Sequence, residues 1–307
     1  MNLGYACINT ELNRGPSKSR VFTNRGMVRR TFRAKGLGYA GELAQRNVED
    51  LLTILRWNEA HSIRFFRLSS NLFPWASEYR LEELPQWEGI LATLERCGSF
   101  ARRHGHRITT HPGPFNVLAS AREDVISNTV AELDRHAEIF DYMGLPETPY
   151  AKINIHVGGA YGDKVAALSR FCSNFERLGE TTRARLTVEN DDKASLYSTR
   201  ELVEGVHSRI GIPVVHDIHH HNFCTGGLTG EEALKLAATT WGDCTPVVHY
   251  SQSRSEEAGC SRIKPQAHSN SFWIPVETFG VKVDVMLECK YKEAALFEMR
   301  ELLGETV

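Results

Sequence analysis

Apolar and polar positions along the chain fall into a repeating two-part pattern. Short runs rich in β-branched and aromatic residues alternate with longer segments whose apolar residues recur every three or four positions. The first kind reads as buried strand and the second as amphipathic helix. Eight strand-like runs can be marked: Leu3–Cys7, Ile63–Leu68, Arg107–Thr110, Lys152–Ile155, Leu186–Val188, a run ending at Val214 and Val215, Pro246–Val248 and Asp284–Leu287. Helical patterns follow most of them. The first is predicted over Glu42–Ala60, with Val48, Leu51, Leu52 and Leu55 on one face. Others are predicted over Trp87–Arg103, Ala121–Tyr142, Lys164–Leu178, more weakly Thr199–Ser208, and Lys292–Leu303. One more starts at Thr229, where Glu232 completes a capping box.

Alternating strands and helices imply a parallel sheet, because right-handed crossovers return each strand beside the last. Eight such units predict closure into a (β/α)₈ barrel, the α/β TIM-barrel class, with residues 1–307 as one domain. An open, doubly wound sheet is the alternative. No glycine-rich nucleotide fingerprint follows the first strand, which weighs against it.

Composition narrows the setting. A hydrophobic content of 41% and a charged content of 24% describe a soluble globular chain. No apolar run is long enough to span a membrane, and Met1–Ala6 enters a strand directly, without a signal-peptide layout. A cytoplasmic or nucleoid-associated monomer is therefore expected. The seven cysteines are scattered with no CxxC spacing, unlike a zinc ribbon or disulfide framework. Net charge is −2, so nothing draws the whole molecule to nucleic acid. Yet Asn9–Ala40 holds eight basic residues and one acid, Glu11. A basic lobe on a near-neutral body can grip phosphates; a solvated loop is the alternative. Arg25 and Arg30 in this lobe, and Lys264 with Arg262 further on, are the phosphate candidates.

The chemistry gathers at strand ends. In a barrel these converge on one face. They deliver His111, His156, Glu189, Asp217 with His220 just after it, His249 and Glu288, while His268 lies in the long loop after the seventh strand. Singly, each has a plain alternative: a core histidine bonded to a carbonyl, a glutamate paired with lysine, a polar surface loop. Together they would leave anions desolvated at a cost of several kcal/mol each unless cations compensate. Eight ligands exceed what one open catalytic ion needs, so two or three divalent ions are expected. The mixed imidazole and carboxylate set suits Mn²⁺, with Zn²⁺ or Mg²⁺ as alternatives. Ions about 3.5–4 Å apart suit phosphodiester hydrolysis, since they activate water and clamp the attacking and leaving oxygens.

The segments Leu3–Asn9 (LGYACIN), His111–Gly113 (HPG), His156–Gly162 (HVGGAYG), Val188–Asp191 (VEND), Asp217–Asn222 (DIHHHN), Val248–Ser251 (VHYS), Lys264–His268 (KPQAH) and Met286–Glu288 (MLE) resemble, in order, the UV damage endonuclease family. The resemblance implies a TIM barrel related to endonuclease IV with a Mn²⁺-type cluster. It implies nicking of duplex DNA immediately 5′ to ultraviolet photoproducts, leaving 3′-hydroxyl and 5′-phosphate ends. The ligands it implies are His111, His156, Glu189, Asp217, His220, His249, His268 and Glu288, with Glu189, Glu288 and His249 as the catalytic set. His219 and His221 are left as supporting groups or DNA contacts. Tyr5 and Asn9 match residues placed near the bound strand.

Two positions depart from the family pattern. Where members carry glutamine and an aromatic after His-Pro-Gly, this chain has Pro114 and Phe115, so one hydrogen-bonding probe of the duplex is missing while Phe115 keeps a stacking face. Where members often carry a lysine two residues before His249, it has Val247. Phe73, Trp75 and Phe115 are expected on the rim, filling the gap left by unstacked bases or packing over the mouth. Three other activities fit parts of the pattern: an abasic-site endonuclease, a metal-dependent sugar isomerase, and a damage-binding protein without catalysis.

Overall fold

A computed structural model describes residues 1–305. Eight parallel strands close into a barrel in the order β1 to β8: Leu3–Ala6, Phe65–Leu68, Arg107–Thr110, Ile153–His156, Leu186–Glu189, Val214–Asp217, Val247–Tyr250 and Asp284–Leu287. Each strand lies within two residues of its predicted run. β1 pairs with β8, Leu3 opposite Val285, and this contact seals the ring. Gly4 is required at the β1–β2 contact, because a Cβ there would sit 2.6 Å from the Phe65 ring.

Helix α1 (Arg29–Ala60) is much longer than its apolar repeat predicts. Its first turns are built from the basic segment, so Arg29, Arg30, Arg33 and Lys35 are helical rather than loop residues. Gly36 breaks the helix at φ 62, ψ −159 and lets the basic turns change direction before the apolar repeat begins. Helices α2 (Trp87–His104), α3 (Glu123–Tyr142) and α4 (Lys164–Phe175) follow their strands as expected. A short α5 (Glu180–Arg185) was not foreseen. α6 (Thr199–Leu202) runs on through a π turn at Val203–His207. The helix Gly230–Ala238 starts at the Thr229 cap, and Glu293–Leu302 closes the chain. Between β7 and β8 the only described helix is the short Arg254–Glu257, and a long connection takes the place of a full crossover helix.

The barrel interior changes character along its axis. At the N-terminal end the buried Arg107 guanidinium bonds Asp284 at 3.0 Å and the carbonyls of Thr245, Tyr150 and Pro149. Phe65, Val215, Trp241, Val247 and Met286 form an apolar plug above it. Past that plug, the C-terminal strand ends turn inward as carboxylates and imidazoles. No described helix is long and apolar enough to cross a membrane.

Candidate metal centre at the barrel mouth

Glu189 ends β5 and is 1% exposed. Its Oε2 accepts from Asn154 Nδ2 on β4 and lies 3.2 Å from His111 Nε2 and 3.1 Å from His249 Nδ1. Its Oε1 is 3.5 Å from His220 Nδ1. Five imidazoles form an arc around it. Ring centroids are 6.1 Å apart for His249 and His111, 5.4 Å for His111 and His156, 5.7 Å for His156 and His220, and 6.0 Å for His220 and His268. Glu288, at the end of β8, is 3.0 Å from His249 Nδ1. The strand ends that the sequence reading marked therefore do converge.

Each ring is oriented by a group behind it. His220 Nδ1 donates to the Asn190 carbonyl at 2.9 Å, and His268 Nδ1 to the Glu288 carbonyl at 2.8 Å. His111 Nδ1 is 3.2 Å from the Pro112 carbonyl, and His156 Nδ1 is 3.3 Å from Asp191 Oδ1. A donor tied at Nδ1 leaves Nε2 as the lone-pair nitrogen for an ion. His249 is reversed: its Nδ1 faces the two glutamates and its Nε2 lies 3.2 Å from Lys152 Nζ. Position 247 holds a buried valine, so the lysine that reaches His249 comes from β4. Asn190 also locks β5 to β6, bonding the Asp217 backbone at both its N–H and its carbonyl.

The electrostatics match a site short of positive charge. Burial would push the Glu189 and Glu288 carboxyls up. The charges of His249 and His156 on the first, and of Arg67 and His249 on the second, instead hold both well below the usual carboxylate range. His156 and His220 are lifted to about 9. Desolvation alone would lower them, and it is outweighed by Glu189 and Asp191 for His156 and by Asp217 and Glu189 for His220. Burial drives His111 down to about 4 and Lys152 down to about 7. Asp217 Oδ2 is buried with no hydrogen-bond partner, and His249 Nδ1 faces two carboxylates without a well-formed hydrogen bond to either. Orphaned groups of this kind call for an unseen partner. Two sets of ligand atoms, His111/His156/Glu189 and Glu189/Asp217/His249, each lie within 4.8 Å of one another and share Glu189. These donors fit a divalent metal ion.

Sequence reasoning passed over several residues here. Lys152 and Asn154 read only as strand, although both point into the barrel. Arg67, in β2, forms an ion pair with Glu288 across the mouth. Asp191 was quoted in a motif without a role. The period-two alternation of β4 (Lys152, Asn154, His156) was the available signal.

The expected DNA contacts of Tyr5, Asn9 and Arg25 are corrected, and for Phe73, Trp75, His219 and His221 the structure favours the packing or supporting alternative. Tyr5 and Asn9 are both fully buried, so neither offers a face to a DNA strand. Tyr5 Oη instead donates to Asn58 Oδ1 at 2.6 Å and accepts from Asn9 Nδ2 at 3.0 Å. Arg25 is spent internally, on Asp50 at 2.6 Å and on the carbonyls of Phe22 and Arg20. Phe73 is buried, and Trp75 stacks on Phe32 while donating to the Met27 carbonyl at 2.9 Å. His219 and His221 are buried too, His219 against His268 and His221 against His216.

Other expected contacts do face solvent. Arg30, Lys264 and Pro114 are exposed, and Phe115 is 88% exposed. Phe115 stands over a groove of about 700 Å³ lined also by Arg25, Met27, Phe73 and Trp75. A second pocket, of about 330 Å³, reaches from Pro114 past Asn116 to His156, Asp191 and His220.

Comparison with known proteins places this geometry. The profile of the UV-endonuclease UvdE family matches residues 1–306. A UV-damage endonuclease of Schizosaccharomyces pombe is 36% identical over 306 residues, covering 97% of this chain and 50% of that protein. The chain thus spans half the length of that relative. A UV DNA damage endonuclease of Bacillus cereus is 33% identical, covering 94% of this chain and 90% of that protein. The crystal structure of SacUVDE superposes with a TM-score of 0.84 at 30% identity, covering 99% of this chain and 98% of that one. A D-psicose 3-epimerase from Clostridium cellulolyticum H10, 12% identical with a TM-score of 0.53 over 84% of this chain and 94% of that one, shares the fold alone.

Proposed function

The chain belongs to the UV-endonuclease UvdE family, and on that premise we propose that it is a metal-dependent DNA-repair endonuclease. It hydrolyses the phosphodiester on the 5′ side of ultraviolet photoproducts in duplex DNA. The observation that carries this reading is the pair of ligand triads meeting at Glu189. His111, His156, Asp217, His220, His249, His268 and Glu288 complete the ligand set for two or three divalent cations, Mn²⁺ foremost. Such ions, when bound, supply the positive charge that polarises a phosphodiester and makes water an effective nucleophile near neutral pH.

The chain's own residues do the remaining work. Glu189, Glu288 and His249 are the catalytic set, closest to the shared centre. Asn154 holds Glu189 in one rotamer, and Arg67 fixes Glu288. The apolar plug of Phe65, Val247 and Met286 below them keeps bulk water out from underneath. On the rim, Phe115 is free to stack on an exposed base, and Arg30 and Lys264 to meet backbone phosphates. Pro114 contributes shape without a side-chain hydrogen bond.

An incision assay on a duplex with one defined photoproduct, under a Mn²⁺ titration, tests this. Nicking that rises with Mn²⁺, spares the undamaged duplex and falls more than about a hundredfold in Glu189→Ala is expected. Cutting of abasic-site duplexes alone would move the reading to abasic-site repair. Aldose–ketose turnover without nicking would reject nuclease function.

A further inference from the structure

Tyr161 occupies a place that its side chain does not favour. It follows His156 by five residues, in the loop between β4 and α4. Ala160–Asp163 form a tight turn, closed by the Asp163 N–H on the Ala160 carbonyl at 2.9 Å. Both central residues have positive φ, 52° at Tyr161 and 81° at Gly162. Such turns take Asn, Asp or Gly at the first central position, because a bulky side chain is strained there. The strain does not serve core packing, since Tyr161 is 57% exposed.

The ring is nevertheless held. A Cβ at Gly159 would sit 3.3 Å from it, so the absence of a side chain there makes room for the ring. Arg170 lies 5.4 Å from the ring centroid and is itself anchored on the Ala119 carbonyl at 2.9 Å. The ring is thus fixed in position on the C-terminal rim while more than half of the residue stays open to solvent. The neighbouring rim loop carries Phe115, and the pocket at the mouth runs between these loops, from Pro114 to Gly158.

Resting on the nuclease reading, we propose that Tyr161 is a nucleobase-stacking residue that receives a base of the bound duplex on the β4 side of the mouth. Strained residues persist where function needs them, and a stacking face is a use that exposure permits and core packing does not.

The test compares Tyr161→Asn, which suits the turn but lacks the ring, with Tyr161→Phe, which keeps the ring. Fluorescence anisotropy is read with the metal-loaded chain and a photoproduct duplex whose scissile linkage is non-hydrolysable, so that the strands stay intact, alongside thermal melting. Asn is expected to weaken binding about tenfold with an unchanged or higher melting temperature, and Phe to bind within about twofold of the parent. A 2-aminopurine placed beside the lesion should be quenched by the parent and by Phe, and less by Asn. Parent-like binding and quenching by Asn would overturn the stacking role while leaving the nuclease reading standing. So would an equal loss for Phe and Asn, which would assign the effect to the hydroxyl. A parent chain that binds no duplex would overturn both.

Discussion

Glu189 must carry a negative charge where almost no water reaches it. Without cations, that charge is offset by neighbouring imidazoles, among them His156 and His220, both lifted to about 9. Cations displace their protons, since an imidazole ligand must be neutral. Near pH 7.5, binding of Mn²⁺ should therefore release about two protons per chain, and affinity should climb with pH until both groups lose their protons. Calorimetric titrations in buffers of differing ionisation enthalpy give the proton count; a count near zero would place these rings outside the ligand set. Melting of the metal-free chain is a poorer gauge, because two effects oppose each other. The raised histidines contribute stability that is complete below their unfolded value of 6.5 and lost as pH rises through about 9. Lys152 has the opposite sign: its pKa of about 7 lies below the unfolded 10.5, so stability grows with pH between those values. The candidate ligand positions were legible because they stand at strand ends, which a barrel brings together whatever the rest of the chain does. Lys152 and Arg67 were not, because their partners lie 97 and 221 residues away along the chain, across the barrel. Tyr5 and Asn9 were misplaced for a related reason: a motif position marks proximity to a site and does not separate a surface from the frame beneath it.

At the level of elements, the basic segment divides into two kinds of arginine. Arg25 clamps the β1–α1 connection to α1 through Asp50 and Asn47, whose Oδ1 accepts the Arg25 N–H at 3.0 Å. Arg30 is the second residue of α1, at its exposed start. Arg25→Ala leaves the partly buried Asp50 with only the Phe22 N–H as a partner, and should cost about 2 kcal/mol in denaturant unfolding. Arg30→Ala should cost under about 0.5 kcal/mol and instead flatten the salt dependence of DNA binding by about one unit of slope. Similar stability losses for the two would mean that the lobe is a structural clamp throughout. The sequence hid this division because Arg29–Lys35 lacks an apolar stripe, so the helix begins before any periodicity announces it. The β7–β8 connection also shows how a loop can hold a ligand. Ser253 and His268 form an antiparallel bridge, and the Arg254 and Ser269 N–H groups bond across it at 2.7 Å and 2.8 Å. His268 is therefore carried on a small ribbon, which a reading by strand and helix repeats does not reveal.

Across the whole molecule, the two ends of the barrel carry separate tasks. Buried charge at the N-terminal end, Arg107 with Asp284, ties β3 to β8 across the interior and is divided from the mouth by the apolar plug. In barrels of this class, chemistry sits at the C-terminal face and the opposite face serves stability. Arg107→Met keeps most of the side-chain volume but strips the guanidinium from Asp284 Oδ2 and from three carbonyls, leaving Asp284 only its Oδ1 bonds from Asn2. Breaking a buried pair in this way costs about 3–5 kcal/mol. Ion binding would act from the other end: because the proposed ligands come from the ends of β3 to β8 and their loops, cations at about a hundred times their dissociation constant should add about 2.7 kcal/mol to the folded state. The two effects are expected to add approximately, and any departure from additivity would run through Lys152, which interacts electrostatically with both Arg107 and Glu189. Thermal melts of the parent, Arg107→Met, Glu189→Gln and the double variant, each with Mn²⁺ and with EDTA, separate them. Arg107→Met should melt lower yet keep the full Mn²⁺-induced rise and, at temperatures where it is folded, the parent's nicking rate. Glu189→Gln should lose the rise and the nicking. A folded Arg107→Met with a diminished Mn²⁺ response would show that the plug transmits strain from one end to the other, and the division of labour along the barrel axis would fail.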